Sequence, residues 1–326
     1  MTRNDAWRPS ASFAMMRRRG KLLRDLRDYF WQAGVLEVET PVCSRFANTD
    51  PAIDSFKTNY TGPDAAQGLA LYLQTSPEFP MKRLLSAGSG AIYQICKVFR
   101  DGELGGRHNP EFTLLEWYRP EYDHLMLMDE VADVVNAVSD TKLLVEKLTY
   151  QAAFEQFLQI NPHTADIEQL RANAIDNQLP GIEDLELDRD GWLDLLLSHL
   201  IEPHLGEQKM TFLYDYPASQ AALAKVSAES PAVAERFELY MSGIEIANGY
   251  HELDDPDEQK QRFTKDNQCR LEAGRSTLPM DEWLLEGLSE GLPHCSGVAL
   301  GVDRLLMVLS GCSTINDVIS FDFSRA

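Results

Sequence analysis

FRDGELGGRHNPEFTLLEWY, residues 99–118, is the stretch from which the rest of the chain is read. The apolar run from Ala91 to Phe99 predicts a buried strand, and Phe112 to Tyr118 predicts a second. The loop between them holds Gly102, Gly105 and Gly106. It is a long hairpin loop of the kind found at functional sites. Arg100 stands at its entrance, where a guanidinium can meet an anionic oxygen through two parallel hydrogen bonds. His108 and Asn109 stand at its exit. Side chains alternate along a strand, so Phe112, Leu114, Glu116 and Tyr118 share one face. An aromatic ring, a carboxylate and a phenol make a poor core. They make a good floor for a polar ligand with a flat ring beside it. Taken alone, the segment also reads as a surface hairpin with a solvated, charged tip.

Upstream, residues 12–33 predict a helix: Ser12 can cap it, and Phe13, Met16, Leu23, Leu26 and Phe30 recur at helical spacing. Gly34 suits its end, and the run Arg17–Arg19 reads as a solvated face. GVLEVETP, Gly34 to Pro41, reads as a short alternating strand. LALYLQTS, residues 69–76, predicts another, leading to Ser76-Pro77-Glu78, where Pro77 fixes a turn and places Glu78 at a strand end.

Downstream, residues 121–205 read as mostly helical, through Leu125–Val138, Tyr150–Ile160 and Trp192–Ile201, with a polar loop from Leu179 to Gly191. They are expected to form an insertion in the same domain. RFELYMSGIEIANGYHELD, residues 236–254, reads as two short strands about a tight turn at Ser242-Gly243. A two-residue loop puts Glu238 and Glu245 on one sheet face. Two such carboxylates repel unless a cation lies between them, and an oxygen-ligated ion such as Mg²⁺ fits. Two exposed glutamates on an edge strand are the competing reading. GVALGVDRLLMVL, residues 297–309, reads as a strand running into a helix. There Gly301 permits close backbone approach, and Arg304 lies where a helix N-terminus welcomes anions.

The 326 residues carry a net charge of −21. That argues against a general nucleic-acid surface, because affinity for phosphate backbones comes from Lys and Arg. Residues 121–215 hold twenty acidic residues against five basic ones, either a solvated helical region or a docking surface for a basic protein. The five cysteines, Cys43, Cys96, Cys269, Cys295 and Cys312, form no C-x-x-C pattern. They predict reduced thiols in a cytoplasmic protein, without a zinc site. His199 and His204 lack a metal-ligand pattern and read as structural or surface residues. No apolar run reaches membrane-spanning length.

Three of these segments together resemble the class II aminoacyl-tRNA synthetases in their lysyl form. Arg100, then HNPEF (His108–Phe112), then Glu116-x-Tyr118 resemble that family's second motif. The helix, Gly34, strand and Thr40-Pro41 resemble its first motif. GVALGVDR, Gly297–Arg304, resembles its third. The resemblance implies an α+β fold, an antiparallel sheet flanked by helices, as one catalytic domain over residues 1–326. No anticodon-binding domain is expected before the first motif or after the third. A homodimer is implied.

By the same resemblance the activity is adenylate-forming ligation with ATP and Mg²⁺. Arg100 would clamp the α-phosphate and the substrate carboxylate. Arg304 would meet the γ-phosphate side and stack on adenine opposite Phe112. Asp101, Gly102, His108, Asn109, Ile244, Glu245 and Gly301 would complete the nucleotide contacts. Glu238 and Glu245 would hold the metal. Glu78, Tyr118 and Glu252 would hold the substrate's amino groups, with Ser76, Pro77, Glu116 and Asn248 beside them and Ala299 in the pocket wall. The implied amino acid is (R)-β-lysine or lysine. The implied acceptor is a protein, translation elongation factor P, with no tRNA expected. A compact tRNA-charging enzyme, a ligase amidating a small amino acid and a non-catalytic binding protein are the competing readings. The chain also departs from the family pattern: the second motif's Arg-x-Glu is displaced to Arg100-Asp101-Gly102-Glu103. SRFANTDPAID replaces a glycine-rich stretch, and Ala299 replaces a glycine.

Overall fold

The computed structural model describes residues 7–65, 67–182, 184–228 and 230–326. The chain forms two compact units, Met1–Tyr122 with Leu253–Ala326, and Asp123–Glu252.

The first unit opens with α1 (Phe13–Gln32), whose start is fixed by the Ser12 hydroxyl accepting from the Met15 N–H. A cap of this kind contributes about 1 kcal/mol. Leu22, Leu26 and Phe30 form its buried stripe. Gly34, at φ +69°, turns the chain out of the helix, where a side chain would be strained. The strand expected over Gly34–Pro41 reduces to β1 (Leu36–Glu37). Next, β2 (Cys43–Ser44), β3 (Lys57–Tyr60) and β4 (Leu69–Leu73) form a small sheet in the order β2-β4-β3. Then come α2 (Glu78–Ser86), β5 (Ile92–Phe99) and β6 (Glu111–Pro120). After the second unit the chain adds α7 (Pro256–Glu272), α8 (Glu282–Gly291), β11 (Cys295–Gly301) and α9 (Val302–Ser310). Strand order here is β1-β5-β6-β11, with β1 parallel to β5 and the other pairs antiparallel.

Alternation decides which face of this sheet is core. Tyr93 and Trp117 pair across β5 and β6 and so point the same way. Phe30 stacks on Tyr93 at 4.5 Å and meets Trp117 edge-on at 5.3 Å, so α1 covers that face. Burying the Phe30 ring contributes roughly 1.5–3 kcal/mol. The opposite face carries Glu116 and Tyr118 of β6.

The second unit contains α3 (His124–Val138), β7 (Leu144–Thr149), α4 (Tyr150–Leu158), α5 (Ile167–Asp176), α6 (Arg189–Leu196), β8 (Lys209–Pro217), β9 (Val233–Met241) and β10 (Ile244–His251). Its strand order is β10-β9-β8-β7, antiparallel except for β7 with β8. Residues 121–205 are therefore not helical throughout. β7 is half exposed, and its six residues, LVEKLT, carry little strand signal between two strongly periodic helices. Tyr150, Phe154, Trp192 and Leu196 build the core beneath α4 and α6. Among the described residues no helix is long and apolar enough to cross a membrane.

Candidate active site

In the first unit the face of the sheet opposite α1 is read directly from its register. Gln94, Glu116 and Ala299 lie in one row across β5, β6 and β11. Ile92, Tyr118 and Gly297 form the next row; Cys96, Leu114 and Gly301 form the one beyond. The contributions of β11 are all small. Glu116 is 2% exposed. One of its oxygens accepts from the Ser76 hydroxyl at 2.8 Å and the other from the Tyr118 hydroxyl at 2.8 Å. Ser76 in turn accepts the Glu78 backbone N–H at 3.0 Å. Burial, and then the Glu116 charge, push the Cys96 thiol up to about 12, so this face of the sheet is buried and negative. The Gln94 amide oxygen is buried there without a hydrogen-bonding partner. A buried acceptor of this kind calls for an N–H donor, and a negative floor calls for a cation; an ammonium group is both.

Glu78 is placed differently from the strand-end position expected of it. It opens α2, and one of its oxygens binds the Lys82 ammonium at 2.6 Å, one helical turn on. Lys82 is 1% exposed, so Glu78 is the counter-charge of a buried lysine. Pro77 is the residue just before that helix.

The hairpin loop is braced at several points. The Arg100 N–H donates to the Pro110 carbonyl, and the Ile315 N–H to the Gly106 carbonyl. Gly102 sits at φ +83°, which favours glycine. The Asp101 N–H donates to the Asp54 carbonyl, while the Asp54 carboxylate binds Arg270 and Arg275. Asn109 uses its amide on the backbone: it donates to the Glu111 carbonyl and accepts the Phe323 N–H. It thus ties the loop exit to the C-terminal turn.

The Arg100 guanidinium carbon lies 5.1 Å from the centre of the Phe112 ring. The displaced carboxylate Glu103 approaches it at 3.4 Å, and its Nε is buried without a partner. The ring expected opposite Arg304 therefore carries Arg100. Arg304, in the first turn of α9, instead meets His108 Nε2 at 2.7 Å. Burial, followed by the Arg304 charge, lowers the His108 pKa, so the ring is neutral at neutral pH. Its Nε2 then accepts from the guanidinium. Gly301 precedes α9.

In the second unit Ser242 and Gly243, both at positive φ, form the expected two-residue turn. Glu245 pairs with Tyr240 and Asn248 with Glu238, with a bulge between Glu245 and Ala247. Glu238, Tyr240, Glu245 and Asn248 thus share one face. Glu238 has a protein cation beside it, as Arg236 NH2 lies 2.5 Å from its carboxylate. Tyr240 OH at 2.6 Å and the Asn248 amide at 3.1 Å complete this network. Arg236 itself lies over the Tyr216 ring at 4.5 Å. Ile244 begins β10, and Glu252 is buried beyond its end, bridged to Ala224.

Among the described residues no three His, Cys, Asp or Glu side chains are arranged to hold a metal ion by themselves. Glu238 and Glu245 nevertheless suit Mg²⁺ chemically. They are hard oxygen donors on one face, and Mg²⁺ commonly takes one or two carboxylates and completes its shell with waters and substrate phosphates.

Gln94 and Arg236 were missed in the sequence. Arg236 sits two residues from Glu238 on the same strand face, so alternation could have found it, whereas Gln94 lies across from Glu116 on the neighbouring strand, which only the register reveals.

A family model for tRNA synthetases class II (D, K and N) matches residues 3–325. Relatives from Salmonella paratyphi B (strain ATCC BAA-1250 / SPB7) and Salmonella heidelberg (strain SL476) are each 50% identical over 326 residues, covering 100% of both chains. Each carries the name elongation factor P--(R)-beta-lysine ligase.

Proposed function

Because the chain belongs to the class II tRNA synthetases of the D, K and N type, we propose that it is an ATP-dependent ligase. It activates (R)-β-lysine as an adenylate and passes the acyl group to a lysine side chain of translation elongation factor P. The relatives' shared name over their full length supports the amino acid and the acceptor. The structural observation that carries the reading is the buried Ser76–Glu116–Tyr118 row beside the unpartnered Gln94 oxygen, an acceptor-rich floor suited to an ammonium-bearing substrate. The family match runs through both units, which supports reading them as one catalytic domain.

In the first step a carboxylate oxygen of the amino acid attacks the α-phosphorus of ATP, and pyrophosphate leaves. Arg100, standing on Phe112, holds the α-phosphate and the attacking carboxylate. Arg304, backed by the neutral His108, faces the outer phosphates. This work is positioning and charge stabilisation. Glu238 and Glu245 would hold Mg²⁺, which when bound neutralises phosphate charge. Glu116 and Tyr118 take up an amino group, and the family resemblance assigns the same role to Glu252. Glu78, already paired with Lys82, acts at the edge of that set through its backbone bond to Ser76. In the second step the neutral amine of the acceptor lysine attacks the acyl carbonyl, and AMP leaves. A homodimer is proposed on the same resemblance; the 84% exposed Trp31 and exposed Leu36 and Val42 lie in the segment it implicates.

The test is ATP–pyrophosphate exchange without acceptor, which is expected to require a diamino acid and Mg²⁺. A chain that gives no exchange with any diamino acid is not this ligase.

The register adds a prediction about selectivity. Ala299 lies directly across from Glu116, so its methyl group narrows the space beside the amino groups. One methyl in a pocket discriminates by ~1–3 kcal/mol. Ala299→Gly should raise kcat/KM for α-lysine relative to (R)-β-lysine, with ATP unaffected. An unchanged ratio makes Ala299 a packing residue.

A further inference from the structure

We propose that Arg19 is a positioning residue for Arg304, acting through the buried carboxylate of Asp303. The inference rests on the reading above, in which Arg304 faces the polyphosphate. Arg19 belongs to the basic run expected to form a solvated face, and the structure corrects that expectation. Its guanidinium is largely buried, and NH1 lies 2.5 Å from Asp303 Oδ1. NH2 donates to the Thr113 hydroxyl at 2.8 Å, and NH1 also approaches the Val318 carbonyl at 3.4 Å. Asp303 is 2% exposed, and its second oxygen accepts the Thr113 backbone N–H at 2.7 Å.

One carboxylate therefore joins three elements. It binds the cation of α1, grips the backbone of β6 and sits in the first turn of α9. Its neighbours in sequence matter most. Asp303 immediately precedes Arg304, and Thr113 immediately follows Phe112, the ring that carries Arg100. The Asp303–Thr113 bond thus sets the spacing between the two arginines assigned to the nucleotide. A carboxylate buried here needs a cation beside it. Arg19 supplies the charge and, by also holding Thr113, fixes the direction from which it acts. Lysine could supply the charge but cannot span both acceptors with a planar fork.

The neighbouring Arg18 gives an internal control. It also ties α1 to α9, by donating to the Leu309 carbonyl at 2.5 Å, but it does so at the far end of α9, away from Asp303. If α1 were a passive tether, losing either arginine would have the same effect.

The experiment measures diamino-acid-dependent ATP–pyrophosphate exchange in the full chain, with KM for ATP and for the diamino acid taken separately and thermal melting alongside. Arg19→Leu is expected to lower kcat/KM for ATP by about tenfold or more, with KM for the diamino acid little changed. Arg19→Lys should give an intermediate loss in the ATP parameters. It also carries the test if the leucine variant does not fold. Arg18→Leu should match wild type. Asp303→Asn should mimic Arg19→Leu, and the double variant should be no worse than either, because the two residues act as one unit. Unchanged ATP parameters in a folded Arg19→Leu, an equal loss in Arg18→Leu, or equal losses for ATP and diamino acid would each overturn the proposal. Wild-type exchange is read first: its absence overturns the functional reading itself, whereas normal wild-type exchange with unaffected variants overturns the relay alone.

Discussion

Arg100→Ala is expected to reduce amino-acid-dependent ATP–pyrophosphate exchange by about 10²–10³-fold, or ~2.7–4 kcal/mol of transition-state stabilisation, the usual cost of removing one pre-placed donor from developing charge. The geometry supports so large an effect. The guanidinium is held over Phe112 and touches one carboxylate, Glu103, at a long 3.4 Å. Its buried Nε has no partner within the protein. A cation in that state is available for an incoming anion. Its removal should cost the fold little, because a partly exposed ion pair contributes ~0–1 kcal/mol. The expected signature is a collapse of kcat with an almost unchanged melting temperature. Arg100→Lys should recover only part of the loss, since an ammonium cannot offer two parallel donors. Wild-type exchange in Arg100→Ala would remove the hairpin loop from the chemistry.

Glu252→Gln is expected to weaken the diamino acid far more than ATP. Glu252 is 2% exposed, and its backbone is fixed by the bridge to Ala224. A carboxylate buried there and facing a substrate ammonium forms a desolvated pair. Breaking such a pair from one side costs ~3–5 kcal/mol, because the remaining charge is left uncompensated. The glutamine keeps the shape and loses the charge, so the effect should appear as a raised KM for the diamino acid, with KM for ATP close to wild type. Equal losses for both substrates, with a lowered melting temperature, would make Glu252 a structural residue.

How much of this was legible in the sequence depends on the range of the interaction. The strands about residues 99–118 and 236–254 follow from period-two alternation and from turn residues that tolerate positive φ, both local properties. So does the pairing of faces: Glu116 with Tyr118 and Glu238 with Glu245 needed only a register. The Glu78–Lys82 pair sits at helical i, i+4 spacing and was hidden because the segment was read as a strand end. β7 was hidden because an exposed edge strand carries little hydrophobic signal beside strong helices. The Arg19–Asp303 pair could not be read at all, since 284 residues separate its members and nothing local marks one arginine of three. The position of Arg100 on Phe112 also depends on how the loop folds back, which the loop's composition does not encode.

The central claim is that this chain modifies a lysine of a protein with a β-lysyl group. Its most direct test is intact-mass analysis of purified elongation factor P after incubation with the chain, ATP, Mg²⁺ and (R)-β-lysine, with bulk tRNA assayed in parallel. The expected result is a mass gain of one β-lysyl residue on the protein, located to a single lysine, dependent on ATP and lost in Arg100→Ala, with the tRNA uncharged. An unmodified protein alongside charged tRNA would contradict it.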